Sequence, residues 1–333
     1  MAYIYKKTIA EKPYYYLRAS ETKKGKVVVK DLAYLGNSIE KVKKALDNLS
    51  KYKKEIRKSY RKIHLFLESN YYFDKIKKLK LKKDEFLEEK LIEIEACNFH
   101  YNKKFRKLDD LTKQDILKNF VIEFAFNTTA IEGNTITLKE ARNLLEEGFT
   151  PKNKTLREIH DVQNTEKVFF EILDLKKEIT PKFIVYLHKR LLDQIDSRFG
   201  FRTSDVRVTK SRFKASPAKY VKTDIELLIK WYNENKKKMH PLVLGVMFHH
   251  KFEKIHPFFD GNGRTGRMLM NYILIRLGYP PVIFRKKLRS FYLDALREAD
   301  KTNLTEIDKK AYKKLIEFSA DEMIKSYWDA FLF

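Results

Sequence analysis

Twelve consecutive residues concentrate the chain's chemistry: His256-Pro257-Phe258-Phe259-Asp260-Gly261-Asn262-Gly263-Arg264-Thr265-Gly266-Arg267. An imidazole titrates near neutral pH, so His256 can take a proton from an incoming hydroxyl. Asp260, four residues on, offers a hard oxygen donor of the kind that holds Mg²⁺. Gly261, Asn262 and Gly263 tolerate positive φ, which lets successive amides converge on an anion. A helix starting near Gly263 or Arg264 would add its free amides and positive dipole end. Arg264 and Arg267 lie three apart, hence on one helix face, and both are fork donors suited to phosphate. Phe258 reads as a packing anchor for the loop. Together these are the parts needed to hold a nucleotide's phosphates and activate a nucleophile.

Positioning such a loop needs rigid elements on both sides, and from Leu111 onward helix signals are frequent. Thr137 with Glu140, Thr155 with Glu158 and Thr223 with Glu226 fit the capping-box spacing. Thr180-Pro181 gives a cap followed by proline at the first helical position, and Gly148 and Gly278 sit where helices should stop. The spacing predicts helices over 113–127, 138–147, 155–174, 181–195, 224–236, 241–254, 263–277, 287–299 and 306–329. Within 198–221, Asp205-Val206-Arg207-Val208-Thr209 alternates polar and apolar, so a hairpin is expected over 202–217. Upstream, 39–68 and 73–108 read as two charged amphipathic helices. Tyr14-Tyr15-Tyr16-Leu17-Arg18 and Lys26-Val27-Val28-Val29-Lys30 read as strands joined by a turn at Lys23-Lys24-Gly25-Lys26. The expected architecture is mainly α, with a β-rich unit at 1–37, a charged helical region at 38–110 and a helical region at 111–333.

His256 to Arg267 matches, residue for residue, the signature His-Pro-Phe-x-Asp-Gly-Asn-Gly-Arg-x-x-Arg of the Fic family, and the chain resembles that family from about Thr112 to its end. The resemblance implies a Fic-type helical bundle with a β-hairpin flap, its core over about 180–300. It implies protein adenylyltransferase activity, in which AMP moves from ATP to a Ser, Thr or Tyr hydroxyl of a protein. His256 would deprotonate that hydroxyl and Asp260 would coordinate Mg²⁺. Residues Gly261 to Arg264 would hold the phosphates, with Thr265 and Gly266 completing the ATP loop and Arg267 on the γ-phosphate. Tyr292 would lie by the adenine or ribose. Thr128-Thr129-Ala130-Ile131-Glu132-Gly133-Asn134 resembles the family's inhibitory motif, which implies that Thr128, Glu132 and Gly133 belong to an inhibitory helix (113–133) whose Glu132 pairs with Arg267. Val206, Arg207, Val208 and Thr209 resemble the flap that aligns a target segment by strand addition. The reverse reaction, removal of AMP with Glu132 orienting a water, uses the same residues. Self-modification and a homodimer stay open on the sequence.

The chain has 333 residues and a net charge of +25. Residues 1–110 hold 29 basic and 16 acidic side chains, and 111–333 hold 41 and 29, so the excess is denser in the first third. Lysines that alternate with acids read first as a solvated surface, and attraction to polyanions is the second reading; it keeps a rival open, a basic nucleic-acid-binding regulator that senses nucleotide. No helix-turn-helix or aromatic RNA-binding motif is evident in that third. A single cysteine, Cys97, leaves no internal disulfide. With no apolar run of membrane-spanning length and no signal-peptide core near the start, a cytoplasmic protein without membrane contact is expected.

Overall fold

The structure, a computed structural model, describes residues 1–23, 25–206 and 215–332. Three antiparallel strands, β1 (Ala2–Ile9), β2 (Lys12–Lys23) and β3 (Lys26–Gly36), form a meander with β2 in the centre. Helices α1 (Ile39–Asn48), α2 (Lys53–Lys58), α3 (Tyr60–Lys77) and α4 (Lys90–Lys103) follow. Next come α5 (Asp110–Ile131), α6 (Leu138–Glu147), α7 (Leu156–Asp174), α8 (Pro181–Leu191) and α9 (Val221–Asn235). The chain closes with α10 (Pro241–Ile255), α11 (Asn262–Arg276), α12 (Arg289–Ala299) and α13 (Lys309–Ala330). None of the described helices is long and apolar enough to cross a membrane.

Sequence alternation decides the sheet's two faces. Ile4, Tyr15, Leu17 and Leu35 point to one side and bury against Ile39 and Val42 of α1 and Ile63 and Leu67 of α3. This small core is distinct from the main one. The main core runs from Tyr72 to Phe331, so the second half of α3 and all of α4 share apolar contacts with α13 and the rest of the bundle. Continuity of packing therefore carries across residue 110, where the helix signals and the resemblance begin.

The two helices expected over 39–68 and 73–108 are four. The first breaks at Leu49 and again at Ser59, both outside helical geometry, next to Asn48, Ser50 and Ser59, whose side chains compete with the helix for backbone partners. The second starts late. Lys77, Lys78, Lys80, Lys82 and Lys83 repel one another at helical spacing, α3 stops at Lys77, and Asp84 Oδ1 accepts the Phe86 and Leu87 amides in a turn. The capping boxes at Thr137 and Thr155 form, as does the Thr180 cap before Pro181. Thr223 does not cap, because a 3-10 turn at Ala218–Tyr220 leads straight into α9 at Val221. Of the expected hairpin over 202–217, residues 207–214 lie outside the described residues, and 202–206 and 215–217 form no strand.

At the centre, α10 and α11 pack against each other, and nearly every residue between Leu242 and Phe252 and between Arg264 and Leu274 is buried. The 256–261 loop joins them. α5, α7 and α8 pack around α11, so the loop is enclosed by helices from the first half of the bundle.

Candidate active site

His256 ends α10 in a left-handed conformation (φ 52°, ψ 60°), which few non-glycine residues adopt and which turns the chain sharply into the loop. Its carbonyl accepts from Arg202 Nε at 2.8 Å. Burial pushes the imidazole below its usual range, partly offset by a hydrogen bond to the Glu253 main chain, so at neutral pH it is in the base form. The loop is stapled from inside. Phe258 is fully buried and stacks on the His188 ring at 3.6 Å. The Asn262 side chain bonds both the amide and the carbonyl of Phe258 at 2.9 Å. Thr265 donates to the Gly261 carbonyl at 2.8 Å.

The glycines act differently from the simple nest expected. Only Gly261 is left-handed (φ 75°), and α11 starts at Asn262, so Gly263 is already helical. What Gly263 supplies is space. A Cβ there would fall 2.1 Å from Glu132 Oε1 and 3.0 Å from an Arg267 nitrogen. The space over the first turn of α11 thus holds a carboxylate of the same chain, at a helix start where negative charge is favoured.

That carboxylate belongs to the residue capping the C-terminus of α5. Glu132 Oε1 accepts from Arg267 at 2.7 Å. Arg267 is buried and also bonds the Thr128 hydroxyl at 2.7 Å and the Thr128 carbonyl at 2.9 Å. The i,i+4 pair Thr128 and Glu132 therefore grips one guanidinium. Burial opposes the charge on both partners. Even so, Arg267 holds Glu132 below the ordinary carboxylate range, and Glu132 holds Arg267 above its own usual value. The Glu132 side chain keeps 39% of its exposure, so the pair lies at the floor of an open cleft. Gly133, next in the chain, turns with φ 109°.

Arg264 does not face the same way as Arg267. It is buried against Asp161 of α7 and lies 3.4 Å from Asp260, and burial lowers its pKa to about 10, still well above neutrality. Asp260 points to the cleft rim. Its Oδ1 accepts the Gly261 amide at 2.7 Å, and its Oδ2 meets Arg157 from α7. The Asp260 carbonyl is 3.0 Å from His188 Nε2. Tyr292 is 2% exposed, with its hydroxyl 2.6 Å from His249 Nε2 and 3.5 Å from Arg267. Val206 is partly buried at the edge of the described segment; Arg207, Val208 and Thr209 lie outside the described residues.

Four residues were missed by sequence reasoning. Arg157 and Asp161, on α7, engage Asp260 and Arg264. Arg202 is 2% exposed and donates to the carbonyls of His256, Ser204, Ser216 and Ile255. It ties both ends of the segment after it to the loop. Glu253, beside Gly266 and the His249 ring, is pushed up to about 8 by burial, with Glu132 adding to the shift, so it is neutral below that pH. A charged residue inside the apolar run Leu242–Ile255 was the signal for Glu253. Arg157, Asp161 and Arg202 carried none. His249 and His250, side by side in the sequence, bond separately to Tyr292, and to Tyr312 and Asp300.

Fold and site together show a helical bundle in which the start of α11, the His256 imidazole and an in-chain carboxylate paired with Arg267 are brought together. Residues 178–274 match the model of the Fic/DOC family. The chain is 36% identical over 197 residues to the "Protein adenylyltransferase Fic" of Drosophila ananassae, covering 56% of this chain and 38% of the relative. The protein of that name in Drosophila melanogaster is 35% identical, with 56% and 39% covered. The chain thus spans about two fifths of the length of these curated relatives. A Fic-domain signalling protein of Bacteroides thetaiotaomicron superposes with a TM-score of 0.63 at 25% identity, over 69% of this chain and 93% of that one. Fic-1 of C. elegans gives 0.60 at 22%, over 89% and 92%, and supports the fold.

Proposed function

We propose that this chain is a protein adenylyltransferase restrained by its own Glu132. A target hydroxyl attacks the α-phosphorus of ATP in line. Its proton passes to His256, which is neutral and set at the cleft. The bond to the bridging oxygen breaks, and pyrophosphate leaves. Most of the rate would come from positioning and from charge placed ahead of the reaction. The amides at the start of α11 and the Arg267 guanidinium face the polyphosphate, while Arg264, held by Asp161, adds positive potential from beneath. Asp260 is the residue that would hold Mg²⁺. A single hard carboxylate on the rim, leaving other positions to phosphate oxygens and water, suits that ion, which neutralises phosphate charge when bound.

One observation carries the reading: a carboxylate lies on Arg267 and over Gly263, where the polyphosphate would lie. ATP can complete the site only after Glu132 leaves. Incubation with ATP labelled at the α- or γ-phosphate tests both parts. The α-label should reach protein, rise in Glu132→Gly and vanish in His256→Ala. Transfer from the γ-position alone would sink the adenylyltransferase, and equal α-labelling with and without Glu132 would sink the restraint. Pre-labelled protein incubated without ATP distinguishes the reverse reaction, since hydrolytic loss of AMP would need Glu132.

A further inference from the structure

The face of the N-terminal sheet turned away from its core carries tyrosines and an arginine, half-buried except for the exposed Tyr34. Tyr3 and Tyr5 of β1, Tyr14, Tyr16 and Arg18 of β2, and Tyr34 of β3 point away from the side that buries Ile4, Tyr15 and Leu17. Register sets them in cross-strand rows: Tyr5 opposes Tyr16, Tyr16 opposes Tyr34, and Tyr3 opposes Arg18. Three of the rings, Tyr14, Tyr34 and Tyr16, run together. Tyr34 lies 5.3 Å from Tyr16 and 6.4 Å from Tyr14, and the Arg18 guanidinium lies over the Tyr5 ring at 3.5 Å. Asp31 orients that guanidinium through Nε at 2.5 Å. Tyr34 is 54% exposed, and among the described residues the hydroxyls of Tyr14, Tyr16 and Tyr34 make no hydrogen bond.

Beyond Ala19 the β2–β3 hairpin leaves the body. Val27, Val28 and Val29 alternate between its faces, yet are 69%, 47% and 48% exposed, so neither face is covered. Lys26 and Lys30 lie on this arm and Lys7 flanks the strip. Residues 1–37 carry eight basic and three acidic side chains.

We propose that this face binds single-stranded RNA. Unpaired bases stack on the tyrosine strip, the basic side chains follow the backbone, and the free phenol hydroxyls meet the 2′-hydroxyl that each ribose presents. Rings beside cations are the pattern that stacked bases and a phosphate backbone use together; an acidic protein, which would need the lysines alone, would instead show as binding that is lost in Lys26→Glu with Lys30→Glu and kept in the alanine variants of Tyr16 and Tyr34. The face is assembled from three strands, so no contiguous motif announces it.

The full chain is titrated against a fluorescent oligouridine, an oligothymidine of equal length and a duplex, with anisotropy as readout at low and physiological salt. RNA should bind more tightly than DNA and weaken as salt rises. Tyr16→Ala and Tyr34→Ala should each lower RNA affinity about tenfold, with thermal unfolding unchanged. Tyr16→Phe should retain stacking and narrow the margin of RNA over DNA. Lys26→Glu with Lys30→Glu, on the exposed arm, should weaken binding without touching the rings. Undiminished binding in the two alanine variants, stronger binding of duplex, equal binding of RNA and DNA, or no RNA binding at low salt would each overturn the proposal. The α-phosphate labelling experiment is independent of every one of these outcomes.

Discussion

Residue chemistry here is governed by which charges are buried together. Glu132, Arg267, Glu253 and His249 lie within one small volume, and only the first two form an ion pair. Glu253 resolves the excess negative charge by staying protonated, and burial is the main cause of its raised value of about 8. This folded-state pKa exceeds the unfolded one, so the native state holds a proton that the unfolded chain has lost. Stability therefore falls as pH rises from the ordinary glutamate range through about 8. Glu253→Gln removes that slope. Its melting temperature should exceed the wild type's by a few degrees above pH 8 and converge with it near pH 4. Parallel melting curves for the two proteins across that range would refute the buried neutral acid. Sequence reading found His256, Asp260, Glu132 and Arg267 because their spacing is local or matches a known pattern. It missed Glu253's role because its neighbours come from α11 and α5 as well as its own helix.

At the scale of elements, two helix ends and one buried arginine build the cleft. The C-terminus of α5 delivers Glu132 to the N-terminus of α11, so a negative side chain meets a positive dipole end. From residue 111 on, the helices were legible to within a few residues from caps, periodicity and Pro181; the meeting of the two ends was not, since residues 132 and 263 are joined only by packing. Arg202 is the clearest case. Four carbonyls from 204, 216, 255 and 256 converge on one guanidinium, and no spacing rule links them. Arg202→Ala should cost roughly 2–3 kcal/mol, about one hydrogen bond to a charged group, measured by denaturant unfolding. Amides of Ser204, Ser216 and Ala218 should exchange faster while those within α11 keep their protection. Unaltered exchange at those three would show that the clamp does not hold the segment.

Across the whole molecule, two apolar cores divide the work. The bundle core fixes the cleft, and the sheet core of Leu17, Tyr15, Ile4 and their helix partners holds the aromatic face outward. α3 belongs to both, with Ile63 and Leu67 in one and Tyr72 and Ile76 in the other. Leu17→Ala removes a fully buried side chain and should destabilise the sheet unit by about 2–5 kcal/mol. Hydrogen exchange should then rise across β1–β3 and early α3, with α10 and α11 protected as before. Simultaneous loss of protection in α10 and α11 would mean that the molecule opens as one unit. The +13 of the first third read as a solvated surface ahead of a polyanion site; only the separation of Tyr14 and Tyr16 from Tyr15 by strand alternation sets an aromatic face beside that charge.

By itself the sequence determined the helical class, most helix ends and the contiguous run from His256 to Arg267 that resembles the Fic signature, because each depends on local periodicity, capping or a contiguous motif. Tertiary structure decided what those parts do to one another. It turned Arg264 toward Asp161 and Arg267 toward Glu132, although they share a helix turn. It made Gly263 a gap for a carboxylate rather than a left-handed turn, and put Arg157 on Asp260. These outcomes depend on which helices pack around α11, and such long-range approach is set by the burial of whole apolar faces rather than by any spacing along the chain.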